Sequence, residues 1–371
     1  MHRLYLHTSY LKKKIVPALL VIILATFAGC NLNQGTGEQM VNLAKVTDDP
    51  EAQLANLNTA ISRNRQDASL YVRRAKILLG KGELPMALDD VNKAVELNKN
   101  DMGNLFLKAQ VLRAIGKVKE ALPLALRAER NSFQHVGVYV LLSDLYLQLK
   151  QPQKASVYAA KALKLAPRNE FALYYNGRVA EAIGDTARAT RNFRLALQEA
   201  PDFAEARREL AGALINQKNY DEAAMHLDKA MTLVPKDAML WFYRGQLYQQ
   251  TQKGDSALWS YNRALGFNDS LQLVHYRAGE LLYARGDNAG AIAHLEKAAR
   301  EYGHTVKYIT MLASAYERTG HNIKALEQYQ RLDALQPGYT FADQSIARLK
   351  AKLTRPMPAA SAEPDTATIN E

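Results

Sequence analysis

Cysteine is almost absent from this 371-residue sequence, in which Cys30 is the only one. A single cysteine excludes an intramolecular disulfide, and with it any fold that depends on disulfide cross-links. Catalytic signatures are also missing: the sequence has neither a His-Glu-x-x-His pair nor a Gly-x-Ser-x-Gly turn. Six of the eight histidines are scattered between residues 135 and 321, without ligand spacing: His135, His226, His275, His294, His304 and His321. We therefore expect no enzyme activity, no cofactor and no metal site.

A strong excess of one charge is lacking as well. The formal net charge is +11, but four basic residues (Arg3, Lys12, Lys13 and Lys14) lie in a segment that we expect to be removed. The remaining chain has 44 basic and 37 acidic residues, a net charge of +7, and the two signs are interspersed without a long block of either. This pattern favours a solvated basic surface.

The sequence has no apolar run long enough for a comfortable membrane span. The longest is the segment 15–29, which carries Pro17 and follows Lys12, Lys13 and Lys14. A spanning helix needs about 20 apolar residues, whereas a positive segment followed by a shorter apolar run is typical of an export signal. We predict a signal peptide over residues 1–29.

The end of this signal, Phe27-Ala28-Gly29-Cys30, resembles the lipobox of bacterial lipoproteins. The resemblance implies that Cys30 is lipidated after cleavage and anchors the chain to a membrane. It also implies, from Asn31 at the following position, sorting to the outer membrane of a Gram-negative cell envelope, with the side of that membrane left open. Residues 30–50 are polar and contain two glycines, so we predict a flexible tether there.

From Ala60 onward the sequence repeats every 34 residues. One column has alanine in every unit, a second is alanine except at Leu332, and a third contains only small residues. In order, these columns are Ala87, Ala121, Ala155, Ala189, Ala223, Ala257, Ala291 and Ala325; Ala60, Ala94, Ala128, Ala162, Ala196, Ala230, Ala264, Ala298 and Leu332; and Ala75, Ala109, Ser143, Gly177, Ala211, Gly245, Gly279 and Ala313.

Each unit contains two apolar stretches with helical spacing, which predicts two helices of about 13 residues joined by a turn. Glycine marks most of these turns, with Lys150, Lys218 and Gln252 as exceptions. Small side chains let neighbouring helix backbones approach closely, and larger residues fill the space beside them. One helical pair cannot bury its own apolar face, so the units must stack.

This 34-residue pattern resembles the tetratricopeptide repeat, and Pro167, Pro201, Pro235 and Pro337 match the proline near the end of that repeat. The resemblance implies an all-α solenoid, a right-handed superhelix whose inner face is lined by the first helix of each unit. The eight predicted units span 68–101, 102–135, 136–169, 170–203, 204–237, 238–271, 272–305 and 306–339.

Other segments flank the eight units. We predict a half-repeat over 51–67, a capping helix over 340–355 and a disordered tail over 356–371, which is rich in Pro, Ala, Ser and Thr. Pro123 falls inside a second helix, where it predicts a bend or a late helix start.

The first helices carry a stripe of aromatic, amide and guanidinium side chains that suits an extended peptide or a partner helix. For any one ring, packing between adjacent first helices explains its position about as well as binding does. The predicted groove residues are Phe106, Gln110, Tyr174, Arg178, Arg208, Phe242, Gln246 and Tyr276.

We expect a membrane-anchored, non-catalytic scaffold or assembly factor that holds one or more envelope proteins or peptides in this groove. One alternative is a structural solenoid that assembles with itself, which the sequence does not separate from binding a different protein. A weaker alternative is RNA binding, since related helical arrays read RNA one base per repeat. The groove columns vary irregularly and include Asp144, Glu181 and Glu280, which favours protein over nucleic acid.

Overall fold

A computed structural model describes residues 49–131 and 135–354 of the chain. Cys30, the predicted signal peptide, most of the tether and the predicted tail lie outside the described residues.

The described residues form nineteen helices and no strand. Each of the eight predicted units contains a first and a second helix, and one additional helix packs at each end. The helices are α1 (Pro50–Arg63), α2 (Ala68–Lys81), α3 (Leu84–Leu97), α4 (Met102–Ile115), α5 (Val118–Arg130), α6 (Val136–Gln148), α7 (Pro152–Leu165), α8 (Glu170–Ala182), α9 (Thr186–Glu199), α10 (Ala204–Asn216), α11 (Tyr220–Leu233), α12 (Ala238–Gln250), α13 (Gly254–Phe267), α14 (Gln272–Ala284), α15 (Asn288–Lys297), α16 (Ala299–Tyr302), α17 (Val306–Arg318), α18 (Asn322–Leu335) and α19 (Thr340–Thr354).

Many first helices begin at a polar cap. The Asp101 carboxylate, for example, accepts a hydrogen bond from the backbone N–H of Asn104, which satisfies one of the unpaired donors at the start of α4. The turn between the helices of a unit uses one residue in the left-handed conformation, such as Gly116 at φ +88°. Lys150, Lys218 and Gln252 adopt the same conformation, with φ between 57° and 62°. The turn geometry is therefore kept where glycine is absent.

The small-residue columns form the packed interior. All eight alanines from Ala87 to Ala325 are completely buried. A Cβ atom on Gly177 would lie 2.5 Å from the ring of Phe193, and one on Gly245 would lie 2.5 Å from the ring of Tyr261. These glycines let the second helix of the unit place an aromatic ring directly against the first helix, which confirms the predicted close packing.

First helices of successive units contact each other, for example α6 with α8 and α10 with α12. Second helices of successive units do not pack on each other to a comparable extent. The first helices therefore lie on the inner side of the curved array and the second helices on the outer side. The structure is an all-helical solenoid, as the resemblance to the tetratricopeptide repeat implies.

Two second helices have unusual features, a proline inside the helix and a break in it. Helix α5 runs from Val118 to Arg130 through Pro123 and begins at the position that corresponds to Leu84 of α3, so a late start is wrong, while a bend at Pro123 stays a prediction. The second helix of the seventh unit is divided at Ala298 into α15 and the four-residue α16.

No helix within residues 49–131 and 135–354 has the length and apolar character needed to cross a membrane.

Candidate functional site

A cavity of about 730 Å³ opens on the inner face between α4, α6 and α8. It is mainly apolar, with a few polar groups at its edge. Its lining residues are Leu79, Leu84, Phe106, Gln110, Arg113, Ala114, His135, Val136, Gly137, Val140, Leu141, Asp144, Asn169, Phe171 and Tyr175. We call this cavity the inner pocket. Apolar walls with a few polar groups are typical of sites that bind a ligand or a side chain.

One sequence column changes from glycine to phenylalanine between two units that line the inner pocket. Gly137 in α6 leaves space beside Phe106, since a Cβ atom there would approach Cζ of Phe106 to 3.0 Å. Phe171 occupies the corresponding position of α8, 34 residues later, and forms a wall. Its ring is 46% exposed and packs edge-on against Phe203, with centroids 5.1 Å apart. The Phe171 ring therefore packs on Phe203 and is accessible from the inner pocket.

Polar side chains of α4 and α6, joined by hydrogen bonds, border the inner pocket. The Arg113 guanidinium donates to Asp144 (Nη1 to Oδ2, 2.9 Å), and the Gln148 amide donates to the same oxygen at 3.1 Å. Burial raises the pKa of Tyr175, and its phenol, like an ordinary tyrosine, is protonated at neutral pH and able to donate a hydrogen bond. The pocket thus combines aromatic surface with groups that can bond a peptide backbone.

A cluster of charged side chains lies next along the inner face, on α8, α10 and α12. The Arg208 guanidinium donates to Oε1 of Glu209 at 2.7 Å and to Oδ2 of Asp237 at 2.6 Å. Arg178 lies 3.7 Å from the same Glu209 oxygen and donates to the Tyr174 hydroxyl at 3.0 Å. We call these residues the charged cluster. Because its charges are paired internally, the cluster links three units to one another.

Glu181 belongs to the edge of the charged cluster, 3.6 Å from Nε of Arg178. Burial and, second, the neighbouring Glu209 carboxylate raise the pKa of Glu181 to about 7. Arg178 and Arg208 oppose this shift but do not cancel it. The charge of the inner face therefore changes near neutral pH.

The eight predicted groove residues lie in different surroundings on the described first helices. Phe106 and Gln110 line the inner pocket, and Arg178 and Arg208 belong to the charged cluster. Gln246 lines a separate polar cavity of about 390 Å³ with Gln249, Gln250, Lys218 and Arg277, among others.

The other three predicted groove residues, Tyr174, Phe242 and Tyr276, have buried rings. Phe242 is 2% exposed and packs near Tyr261, with centroids 6.0 Å apart. Tyr276 stacks on Tyr302 at 4.3 Å, and Tyr174 contacts Phe203 at 5.0 Å. For these rings, packing between helices accounts for their position.

Sequence reasoning missed Phe171, Tyr175 and Asn169, which line the inner pocket. The signal that could have identified Phe171 is the change within its column, from Gly137 in one unit to phenylalanine in the next. It also missed that His275 and His294 meet within the seventh unit, with their Nδ1 atoms 2.9 Å apart. Across residues 49–131 and 135–354, no group of three or more His, Cys, Asp or Glu side chains is arranged to hold a metal ion.

Comparison with known protein families gives three matches, all to models described as tetratricopeptide repeat. They cover residues 136–169, 180–241 and 275–340. The match over 136–169 coincides with the third predicted unit, which supplies helices α6 and α7.

The chain is also similar to curated proteins and to a solved structure. It is 22% identical over 265 residues to a TPR repeat-containing protein of Methanocaldococcus jannaschii, covering 66% of this chain and 46% of the relative. It is 21% identical over 277 residues to the BBSome complex member BBS4 of Bos taurus, covering 74% of this chain and 53% of the relative. The chain thus spans about half the length of these relatives. Its fold is similar to a chain in the crystal structure of the APC/C hetero-tetramer Cut9-Hcn1, with a TM-score of 0.65 at 15% identity, covering 82% of this chain and 60% of that one.

Proposed function

Because the chain contains tetratricopeptide repeats, we propose that it is a non-catalytic scaffold that holds another protein on its inner face. The inner pocket carries this proposal, since it presents the accessible ring of Phe171 and a polar edge in one concave site. An extended segment or a helix of the partner would place an apolar side chain in the pocket. Its backbone would bond to groups such as Gln110 and Arg113 at the edge.

The proposal places this scaffold in a bacterial cell envelope, anchored through lipid on Cys30. Its support is the basic and apolar segment before Phe27-Ala28-Gly29-Cys30 and the polar residues that follow. Each acyl chain contributes about 0.8 kcal/mol per buried methylene, so two or three chains would anchor the protein stably. Asn31 supports the outer membrane as its location.

The role in assembly is part of the same proposal. One relative is named as a member of a complex, the BBSome, and an extended inner face suits a protein that holds others in place. An identity of 21% is too low to assign the partners of that relative to this chain. The partner of this chain is therefore proposed only as an envelope protein.

An affinity capture experiment tests the scaffold proposal. The bait is residues 31–371, which contain all the buried apolar residues of the described part of the chain, from Leu54 to Leu349. Wild type, Phe171→Glu and Met225→Glu are incubated with envelope extract and cross-linked before recovery. Met225 is the matched control, because it is an exposed apolar residue on the outer helix α11.

We expect one or two envelope proteins to be recovered with wild type and with Met225→Glu, and to be lost with Phe171→Glu. Circular dichroism of all three proteins establishes that the solenoid is intact. Equal recovery by Phe171→Glu would refute the inner pocket as the binding site. Recovery of the bait alone would favour the self-assembling solenoid.

A further inference from the structure

The outer face of the solenoid has its positive charge concentrated on three adjacent second helices. Helix α5 has a net charge of +1, α7 of +3 and α9 of +2, a total of +6. The other outer helices of the array, α1, α3, α11, α13, α15 with α16, and α18, together carry −4. The net charge of the whole sequence does not reveal that positive charge is concentrated on these three helices.

The acidic residues of these three helices are already bound to basic neighbours. Glu120 lies 3.3 Å from Lys117, Glu129 lies 2.7 Å from Lys161, and Glu199 lies 2.9 Å from Arg168. Within the described residues, six exposed basic side chains of the three helices have no carboxylate within 4.0 Å: Lys119, Arg127, Arg130, Lys154, Lys164 and Arg191. We call these six residues the basic face.

Exposed apolar side chains lie among the cations. Val157 and Leu165 on α7 are 55% and 46% exposed, and Leu195 on α9 is 37% exposed. Helix α7 has no acidic residue, and its exposed positions are three lysines, three apolar residues (Val157, Ala160 and Leu165) and one glutamine. Such a combination fits the interface of an anionic membrane, where lysines reach the headgroups and apolar side chains enter the boundary with the acyl chains. A nucleic acid would use the charges but would leave the apolar side chains without a role.

We propose that the basic face is a second membrane-contacting surface, which binds anionic phospholipid headgroups independently of any lipid on Cys30. It lies on the opposite side of the helix layers from the inner pocket, so one molecule can hold a protein inside and a membrane outside. In this arrangement the basic face fixes the orientation of the solenoid on the membrane.

Vesicle binding by the chain that begins at Asn31 tests this proposal, because that chain lacks Cys30. The vesicles are phosphatidylcholine alone, or phosphatidylcholine with about one third phosphatidylglycerol. The test variant is Lys154→Gln with Lys164→Gln and Arg191→Gln. The control is Lys229→Gln with Lys236→Gln and Lys253→Gln, which removes the same charge from three exposed lysines around α11 and α13. Protein bound to sedimented vesicles is measured over a range of lipid and salt concentrations.

Each basic residue near an anionic surface contributes about a five-fold factor to partitioning. We therefore expect the test variant to bind anionic vesicles roughly 100-fold more weakly than wild type, and the control variant to bind much more tightly than the test variant. Binding should weaken with salt and be absent on phosphatidylcholine alone. Failure of wild type to bind anionic vesicles, or equal losses in both variants, would overturn the proposal. Binding of polyuridylate RNA without binding of vesicles would also overturn it and would assign the basic face to nucleic acid.

Discussion

The hydroxyl of Tyr243 donates a hydrogen bond to the carboxylate of Glu209 across 2.9 Å. The two residues lie 34 positions apart on adjacent first helices, so this bond joins the inner faces of α10 and α12. Glu209 is 5% exposed and also accepts from Arg208. The sequence repeat thus places a donor in one unit directly beside an acceptor in the previous unit.

Removal of this hydroxyl should weaken the junction. Tyr243→Phe leaves the ring in place but removes a hydrogen bond to a buried charged acceptor, so we expect the free energy of unfolding to fall by about 1.5–3 kcal/mol. Urea denaturation monitored by circular dichroism measures the change. Tyr220→Phe is the control, because the Tyr220 hydroxyl makes no hydrogen bond within the described residues. Equal effects of the two substitutions would contradict the assigned role of the bond.

Phe242 should contribute to stability and not directly to binding. Its ring is 2% exposed and packs with Tyr243 and Tyr261, so Phe242→Ala should lower the free energy of unfolding by about 3–5 kcal/mol. Phe341→Ala, whose ring is 39% exposed, should cause a much smaller loss. Urea denaturation of both variants checks this, and an unchanged stability of Phe242→Ala would show that the ring is not part of the core.

The histidine pair of the seventh unit should make the protein less stable in acid. Burial, followed by His275 and Lys297, lowers the pKa of His294 below 6.5. The unfolded chain therefore binds a proton more readily than the folded protein, so stability is lost as pH falls below about 6.5.

His294→Gln tests this prediction. The variant should lose less stability than wild type between neutral pH and mildly acidic pH, as measured by thermal unfolding at each pH. His304→Gln, which changes an exposed histidine, should follow the wild-type curve. A wild-type slope in the His294→Gln variant would rule out the pair as the source of the acid sensitivity.

Glu181 should have the opposite pH dependence. Its pKa is raised from 4.5 to about 7, so the folded protein holds this proton more tightly than the unfolded chain. Stability is therefore lost as pH rises from about 4.5 to about 7 and stays low above it. Glu181→Gln should be more stable than wild type at pH 8, with the difference disappearing towards pH 4.5. Thermal unfolding of the two proteins over this range measures the difference, and a pH-independent difference would contradict the assigned pKa.

The sequence predicts the fold well because corresponding residues pack in the same way in each repeat unit. Alanine at Ala87 and at each position 34 residues later can be identified without coordinates, and all of them are buried. The turns at Lys150, Lys218 and Gln252 lack glycine, yet they adopt the same left-handed conformation, since stacking of the flanking helices determines the turn. The division of a helix at Ala298 was not predictable from a column that keeps its alanine.

The site was harder to predict than the fold. Column position alone places Phe106 and Phe242 on the same stripe, but it does not determine how far each ring tilts into the core. Phe106 lines the inner pocket because Gly137 leaves space beside it, whereas Phe242 meets Tyr243 and Tyr261. Exposure therefore depends on neighbours in the same unit and in the next one, which a single column does not describe.

Site-specific photocrosslinking in cells tests the central claim most directly. A photoreactive phenylalanine analogue replaces Phe171 in the inner pocket, Met239 in the same column two units later, or Met225 on the outer face. The scaffold proposal predicts that position 171 yields an adduct with a defined envelope protein, and that position 225 does not yield it. Adducts that form from position 225 but not from position 171 would contradict the claim that this protein holds its partner in the inner pocket.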